Sequence, residues 1–345
     1  MIALTAPAAS RAARALTLAS SSVLCALAAA ALTITVTGKV HRPQVELNLS
    51  IPIMAPKPAA RRPVFVPVAA SVPRIDKPVY AGRALVADPA LIQQSPEGPL
   101  PRIADDGRKP MAAYAAPAAS GKFRIAIVIS GLGLSAKATH AAIAGLPSAV
   151  TLAFEPYAGD VQQFVSEARQ TGHEALLEVP MEPLDFPDSD PGPNTLRSGV
   201  EQDGNGQRLN WAMSRLTGYA GVTNLLGQRF LADSDALSPT MVQLARRGLY
   251  FYDNGAVPQS VASDVAGRSG MAFAKATNTL DDVQSALEID RRLSDLEAEA
   301  RAHGSAIGSG FLYPVTVARI AQWSKGLEGR GFALVPVSAL VTHPK

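Results

Sequence analysis

Residues 125–135 read IAIVISGLGLS. A run of β-branched and aliphatic residues stops at Ser130-Gly131, and Ser135 stands where a helix cap belongs. An unbroken apolar run of this kind is the pattern of a strand buried on both faces of a parallel sheet. Ser135 predicts the start of the helix behind it. In parallel α/β folds the chemistry sits at the ends of the strands. Ser130-Gly131 occupies such a place and offers neither a charge nor a strong ligand.

The same alternation runs to the end of the chain. Strands are expected at 123–129, 149–154, 174–180, 220–226, 249–254, 271–276, 306–311 and 332–337, with helices between them. Helical patterns at 160–170 and 241–247 end in Gly172 and Gly248, which suit C-caps. The longest, 281–303, opens with Asp281-Asp282 at its positive end and stops at Gly304. Eight strands alternating with helices predict a parallel sheet with right-handed crossovers. Over roughly 220 residues they point to a (β/α) barrel, with a doubly wound open sheet as the alternative.

Read along that expected working face, the strand ends are Ser130-Gly131, Glu155, Glu178 with Met181-Glu182, Asn224, Asp253-Asn254, Thr277-Asn278 and Gly308-Ser309-Gly310. One long loop, MEPLDFPDSDPGPNTLRSG (181–199), is stiffened by prolines and studded with acids, as binding loops often are. Glu182, Asp185 and Asn194 of this stretch, with Asn224 and Arg229, form the expected binding set. Glu155 and Glu178 end adjacent strands. Paired carboxylates run acid/base hydrolysis when their environments separate their pKa values, and with Asp253 and Asn224 they would suit a hard cation. The plain alternative is two carboxylates solvated at a loop rim. Candidate catalytic groups are therefore Glu178, Glu155 and Asp253.

Other chemistries find little support. His140, His173 and His303 fall in or before helices and strands away from the working face, where surface or capping roles suffice. No HxxxH, HExxH or CxxC spacing occurs, and no G-x-S-x-G elbow, P-loop or dinucleotide fingerprint.

The N-terminal third is different in kind. From Lys122 onward there are 19 basic and 23 acidic residues, so the positive net charge of +3 belongs to the residues before it. A nucleic-acid-binding core would be basic, which excludes that class. Residues 15–38 carry no charge, and about 20 apolar residues span a bilayer. This stretch reads as a transmembrane anchor or a signal segment; its apolar character continues through Ile34 and Val36, which favours an anchor. Arg11 and Arg14 hold residues 1–14 in the cytoplasm and direct the rest outward. Cys25 lies inside the segment, so the exported part has no thiol to pair. Residues 39–121 are rich in proline and alanine and read as a disordered linker, followed by the folded domain at 122–345.

GLGLS, VTLAFEPYA, ARQTGHEALLEVPMEP, DPGPNTL, GVTNLLGQRF, RGLYFYDN and FALVPVSAL together resemble, in order, the signature blocks of the divergent polysaccharide deacetylase family. The resemblance covers about Phe123–Leu340. It implies the distorted βα barrel of the glycoside hydrolase/deacetylase superfamily and a role in carbohydrate metabolism. Related deacetylases hold a divalent metal, usually zinc, with one Asp and two His, and activate water against an acetyl group. The resemblance fails at those positions. Where the family reads I-D-D-L-G, this chain has Ile129-Ser130-Gly131-Leu132-Gly133. Glu178 and Leu225 replace two histidines, and Ser309 stands in the block that elsewhere ends I-G-H-P.

The degenerate positions Ser130, Gly131, Glu178, Leu225 and Ser309 predict that no metal cofactor is bound and that deacetylase chemistry is lost. The expectation is a pseudoenzyme of the cell envelope, single-pass in the inner membrane with a periplasmic domain. It would bind a glycan or an envelope protein. An active hydrolase using a non-standard carboxylate site is the alternative.

Overall fold

A computed structural model describes residues 87–344 with the exception of residue 201. The expected cytoplasmic segment, anchor and most of the linker lie outside the described residues. Among the described residues no helix is long and apolar enough to cross a membrane.

All eight expected strands form, and three more join them. The strands are β1 (Ile92–Ser95), β2 (Gly98–Pro101), β3 (Phe123–Leu132), β4 (Thr151–Phe154), β5 (Ala175–Met181), β6 (Gly221–Leu226), β7 (Tyr250–Asp253), β8 (Ala272–Lys275), β9 (Asn278–Thr279), β10 (Ser305–Phe311) and β11 (Phe332–Leu334). The helices are α1 (Pro110–Ala113), α2 (Ala136–Gly145), α3 (Val161–Gln170), α4 (Gln202–Ser214), α5 (Ser234–Arg246), α6 (Ala262–Ser269), α7 (Ala286–His303) and α8 (Pro314–Ser324). β1 and β2 form an antiparallel hairpin. The main sheet is parallel, in the order β8-β7-β6-β5-β4-β3-β10-β9, with β11 branching from β3.

Alternation along the strands separates two apolar cores. Ile125, Ile127, Ile129, Leu152, Phe154, Leu177 and Val222 pack outward beneath the helices. Ala126, Val128, Ala153, Leu176, Tyr250, Tyr252, Ala274 and Ile307 fill the inside of the curl. Small residues here let opposing strands approach. The sheet is thus strongly curled, but its edges β8 and β9 share no ladder; Ala276-Thr277 simply joins them. Thr342 pairs antiparallel with Phe273 along the β8 edge. The barrel expectation holds as a curled α/β sheet, open at one seam.

Three expectations are corrected. First, the linker does not extend to residue 121: residues 87–121 fold onto the sheet, with Leu91, Leu100, Ala104 and Tyr114 buried. They close the foot of the curl around Glu174, a fully buried carboxylate. Glu174 accepts hydrogen bonds from the N–H groups of Ala116 (3.0 Å) and Ser338 (3.1 Å) and from the Tyr250 hydroxyl (2.9 Å). Second, α5 begins at Ser234 rather than 241, because the Asp233 carboxylate caps it and Pro239 is tolerated inside it. Third, α7 begins at Ala286 under a Ser285 cap, so Asp281-Asp282 lie in the preceding loop. Ser135 caps α2 as its sequence predicts.

Candidate functional site

The strand quoted at the outset does not end at residue 129. β3 continues through Ser130-Gly131-Leu132, but the partner of Ile129 is Leu152 and the partner of Leu132 is Phe154. One extra residue is therefore accommodated in β3 as a bulge. Gly131 takes φ +85° there, a conformation that glycine adopts without a steric penalty. The bulge turns the Gly131 N–H toward β5, where it donates to Glu178 Oε1.

Glu178 and Glu155 both face the inside of the curl, at the mouth formed by the strand C-termini. Glu178 is 1% exposed and Glu155 5%. Burial pushes Glu155 up to about 7. Burial and the neighbouring Glu155 charge push Glu178 well above the usual carboxylate range, against the pull of the Gly131 N–H. Like charges close together in a poorly solvated place disfavour ionisation, so at least one proton stays on the pair at neutral pH.

Around the pair lies a layer of hydroxyls. In register, Glu178 stands beside Thr223, and Thr223 beside Tyr252. Ser130 and Ser309 complete the layer from β3 and β10, both more than nine-tenths buried. The hydroxyls of Ser130, Thr223 and Tyr252 have no hydrogen-bond partner among the described residues. Ser309 faces Tyr252 closely enough to act on its ionisation. An unmet buried hydroxyl costs about 1–3 kcal/mol, so hydrogen bonding within the described residues gives this layer no stabilising role. Thr223 and Tyr252 carry no sequence signal beyond their alternation with apolar neighbours, which is why the strand-end reading missed them.

The structure separates the remaining expected residues from this layer. Asp253 is fully buried, but it accepts from the Gly255 N–H (2.9 Å) and the Ser260 hydroxyl (2.7 Å), with Lys275 Nζ at 3.9 Å. Asn224 braces the ends of β6 and β7 through Leu226 O, Asn254 Oδ1 and the Asn254 N–H. Neither joins the Glu155–Glu178 pair, so the hard-cation arrangement does not form. Glu182 and Arg229 brace the 181–199 loop: Glu182 accepts from the Ser198 N–H (2.7 Å), and Arg229 donates to Leu184 O (2.7 Å). The Asn194 N–H donates to the Tyr157 hydroxyl (2.9 Å), while Asp185 is exposed. Leu225 is half-buried at the end of β6. His173 is not a surface residue; it is buried, with its two ring nitrogens against Val150 O (2.8 Å) and Ile143 O (3.1 Å).

The decisive residue was not foreseen. A Cβ at position 131 would lie 2.5 Å from Cζ of Phe311. The Phe311 ring fills the space into which a side chain at 131 would project. Asp281 holds it there by accepting from the Phe311 N–H (2.8 Å) and the Thr316 hydroxyl (2.8 Å). Zinc needs about three convergent nitrogen, sulfur or carboxylate ligands. The degenerate positions supply hydroxyls, an aliphatic side chain, an aromatic plug and a carboxyl that tends to keep its proton. Among the described residues no three His, Cys, Asp or Glu side chains are grouped to hold a metal. This donor set does not fit zinc.

Comparison with known proteins agrees with the architecture. A family model described as divergent polysaccharide deacetylase matches residues 127–341. The chain is 28% identical over 233 residues to the uncharacterized protein YibQ of Escherichia coli K12, covering 68% of this chain and 71% of that one. It is 29% identical over 195 residues to an uncharacterized protein of Haemophilus influenzae Rd, covering 56% and 69%. The crystal structure of the uncharacterized protein ATU2773 from Agrobacterium tumefaciens C58 superposes with a TM-score of 0.69 at 41% identity, covering 71% of this chain and all of that one.

Proposed function

The chain belongs to the divergent polysaccharide deacetylase family, and from that premise we propose that its domain is a noncatalytic member whose mouth serves for binding in the cell envelope. The observation that carries this reading is the Phe311 ring over Gly131. A carboxylate has not merely been lost at 131; its space has been filled, and the neighbouring Glu178 is tied to the Gly131 N–H instead. What the mouth keeps is a hydroxyl-lined cup around a carboxyl pair that shares at least one proton.

The test is direct. Purified protein dialysed against zinc should retain well under one equivalent, and it should release no acetate from acetylated glycans. Acetate release abolished by a chelator and restored by zinc would sink the proposal.

One observation favours a second reading. Glu155 near 7 beside a more strongly raised Glu178 is the separation of proton affinities that carboxylate acid/base catalysis uses. Metal-independent hydrolysis that disappears in Glu178→Gln would establish it. Placement follows from residues 15–38, which we propose as an inner-membrane anchor with the domain in the periplasm.

A further inference from the structure

The mouth is distinguished by its rim as well as by its cup. The large apolar side chains most exposed among the described residues are Leu134 (63%), Tyr157 (38%), Leu184 (64%), Leu226 (37%), Val283 (57%) and Leu287 (83%). Single exposed apolar residues are ordinary on any surface. Here all six fall at the same pole. Leu134 follows β3, Tyr157 follows β4, Leu184 follows β5, Leu226 ends β6, and Val283 and Leu287 follow β9. In the sheet these strands run β6-β5-β4-β3-β10-β9, and the half-buried Phe311 ends β10 between the last two. With neighbouring strands about 4.8 Å apart, these residues follow one another in strand order as an arc of positions around the mouth.

The charge of the same pole is equally one-sided. The loops that leave the mouth (133–135, 155–160, 182–200, 227–233, 254–261, 276–285 and 312–313) contain nine carboxylates and two cations, Arg197 and Arg229. Both cations are engaged: Arg229 lies beside Glu182 (3.7 Å), and Arg197 lies over the Phe186 ring (4.6 Å). Asp160, Asp185, Asp188, Asp190 and Asp282 form no ion pair among the described residues. An arc of aliphatic side chains set among unpaired carboxylates selects its partner chemically. An anionic membrane surface is repelled. A glycan gains little from exposed leucines. A polypeptide with both apolar and cationic side chains satisfies both features at once.

We propose that the arc from β6 to β9 is a docking surface for a cationic, apolar segment of a partner protein. The inference rests on the noncatalytic reading above and names the kind of partner that the mouth accepts.

The test uses the full chain in zwitterionic-lipid nanodiscs, with empty nanodiscs as reference. The probe is a synthetic peptide of lysine and leucine, compared with a lysine/serine peptide of equal charge and a glutamate/leucine peptide. The lysine/leucine probe should bind at least tenfold tighter than either control. Leu184→Ser combined with Leu287→Ser should weaken it at least tenfold with an unchanged melting temperature, since both side chains are exposed. Asp185→Asn combined with Asp188→Asn should weaken it at low salt and have little effect at high salt. Equal binding to these variants would overturn the proposal. So would a glucosamine oligomer that binds better than the peptide and is indifferent to the leucine substitutions. Acetate release, by contrast, would overturn the noncatalytic reading and leave the peptide result standing.

Discussion

Gly131 and Phe311 are coupled by space. The left-handed φ of Gly131 and the ring beside it both oppose a side chain at that position, and overpacking of this kind costs about 1–3 kcal/mol in addition to backbone strain of about 1. Gly131→Asp is therefore expected to destabilise the domain by about 2–4 kcal/mol in urea unfolding. Combined with Phe311→Ala, the penalty should be well below the sum of the two single effects; additive penalties would show that the ring is not the obstacle. At Glu155 the sign is set by a folded-state pKa raised to about 7 from 4.5. Its protonated form favours the folded state, so this contribution is complete below about pH 4.5 and is lost as pH rises through about 7. Over that window the loss is about 3 kcal/mol. Glu155→Gln keeps the neutral state at all pH values, so its stability should decline less than the wild type between pH 5 and 8, by about that amount. Parallel profiles for the two proteins would contradict the buried, raised carboxyl.

Among the elements, the hairpin and helix before β3 change the domain boundary. Leu91, Leu100 and Tyr114 are each at most 2% exposed, and a fully buried large apolar side chain contributes about 1.5–3 kcal/mol. Limited proteolysis is expected to leave a core that starts near residue 87 rather than near 122. A chain begun at Lys122 should lose about 5 kcal/mol or fail to fold, because Glu174 also loses the Ala116 N–H. A fully stable 122–345 fragment would mean that these contacts do not hold the foot. Composition concealed this element: prolines at 89, 99, 101 and 110 continue the pattern of the preceding stretch. Pro89 and Pro110 start a 3₁₀ turn and α1, where proline is favoured, and Pro99 and Pro101 lie on a two-stranded hairpin that has only edges.

For the whole molecule, the curl separates two ends of unlike chemistry. The foot is closed by residues 87–121 and 335–338 around Glu174, while the mouth gathers the hydroxyl layer, the acids and the apolar arc. It is at the mouth, among the described residues, that we propose a partner is met. If residues 15–38 anchor the chain, the protein isolated from cells should keep Met1 and fractionate with the inner membrane. A mature N-terminus near Ala30–Lys39 by mass spectrometry would rule that out.

By itself the sequence determined the eight strands of the sheet, the Ser135 cap, the position of Glu155 and Glu178 at the ends of adjacent strands, and the departure of this chain from the residues that the resemblance leads one to expect as metal ligands. These are local patterns of period and residue type, and they can be read one position at a time. Tertiary structure alone decided the rest. That β8 and β9 stay unpaired depends on how far the sheet curls. That Asp253 and Asn224 brace loops, while Thr223 and Tyr252 face the cup, depends on which side of each strand turns inward. That Phe311 seals position 131 depends on two residues 180 apart in the chain meeting across a β-bulge, and no pattern within either segment encodes that meeting.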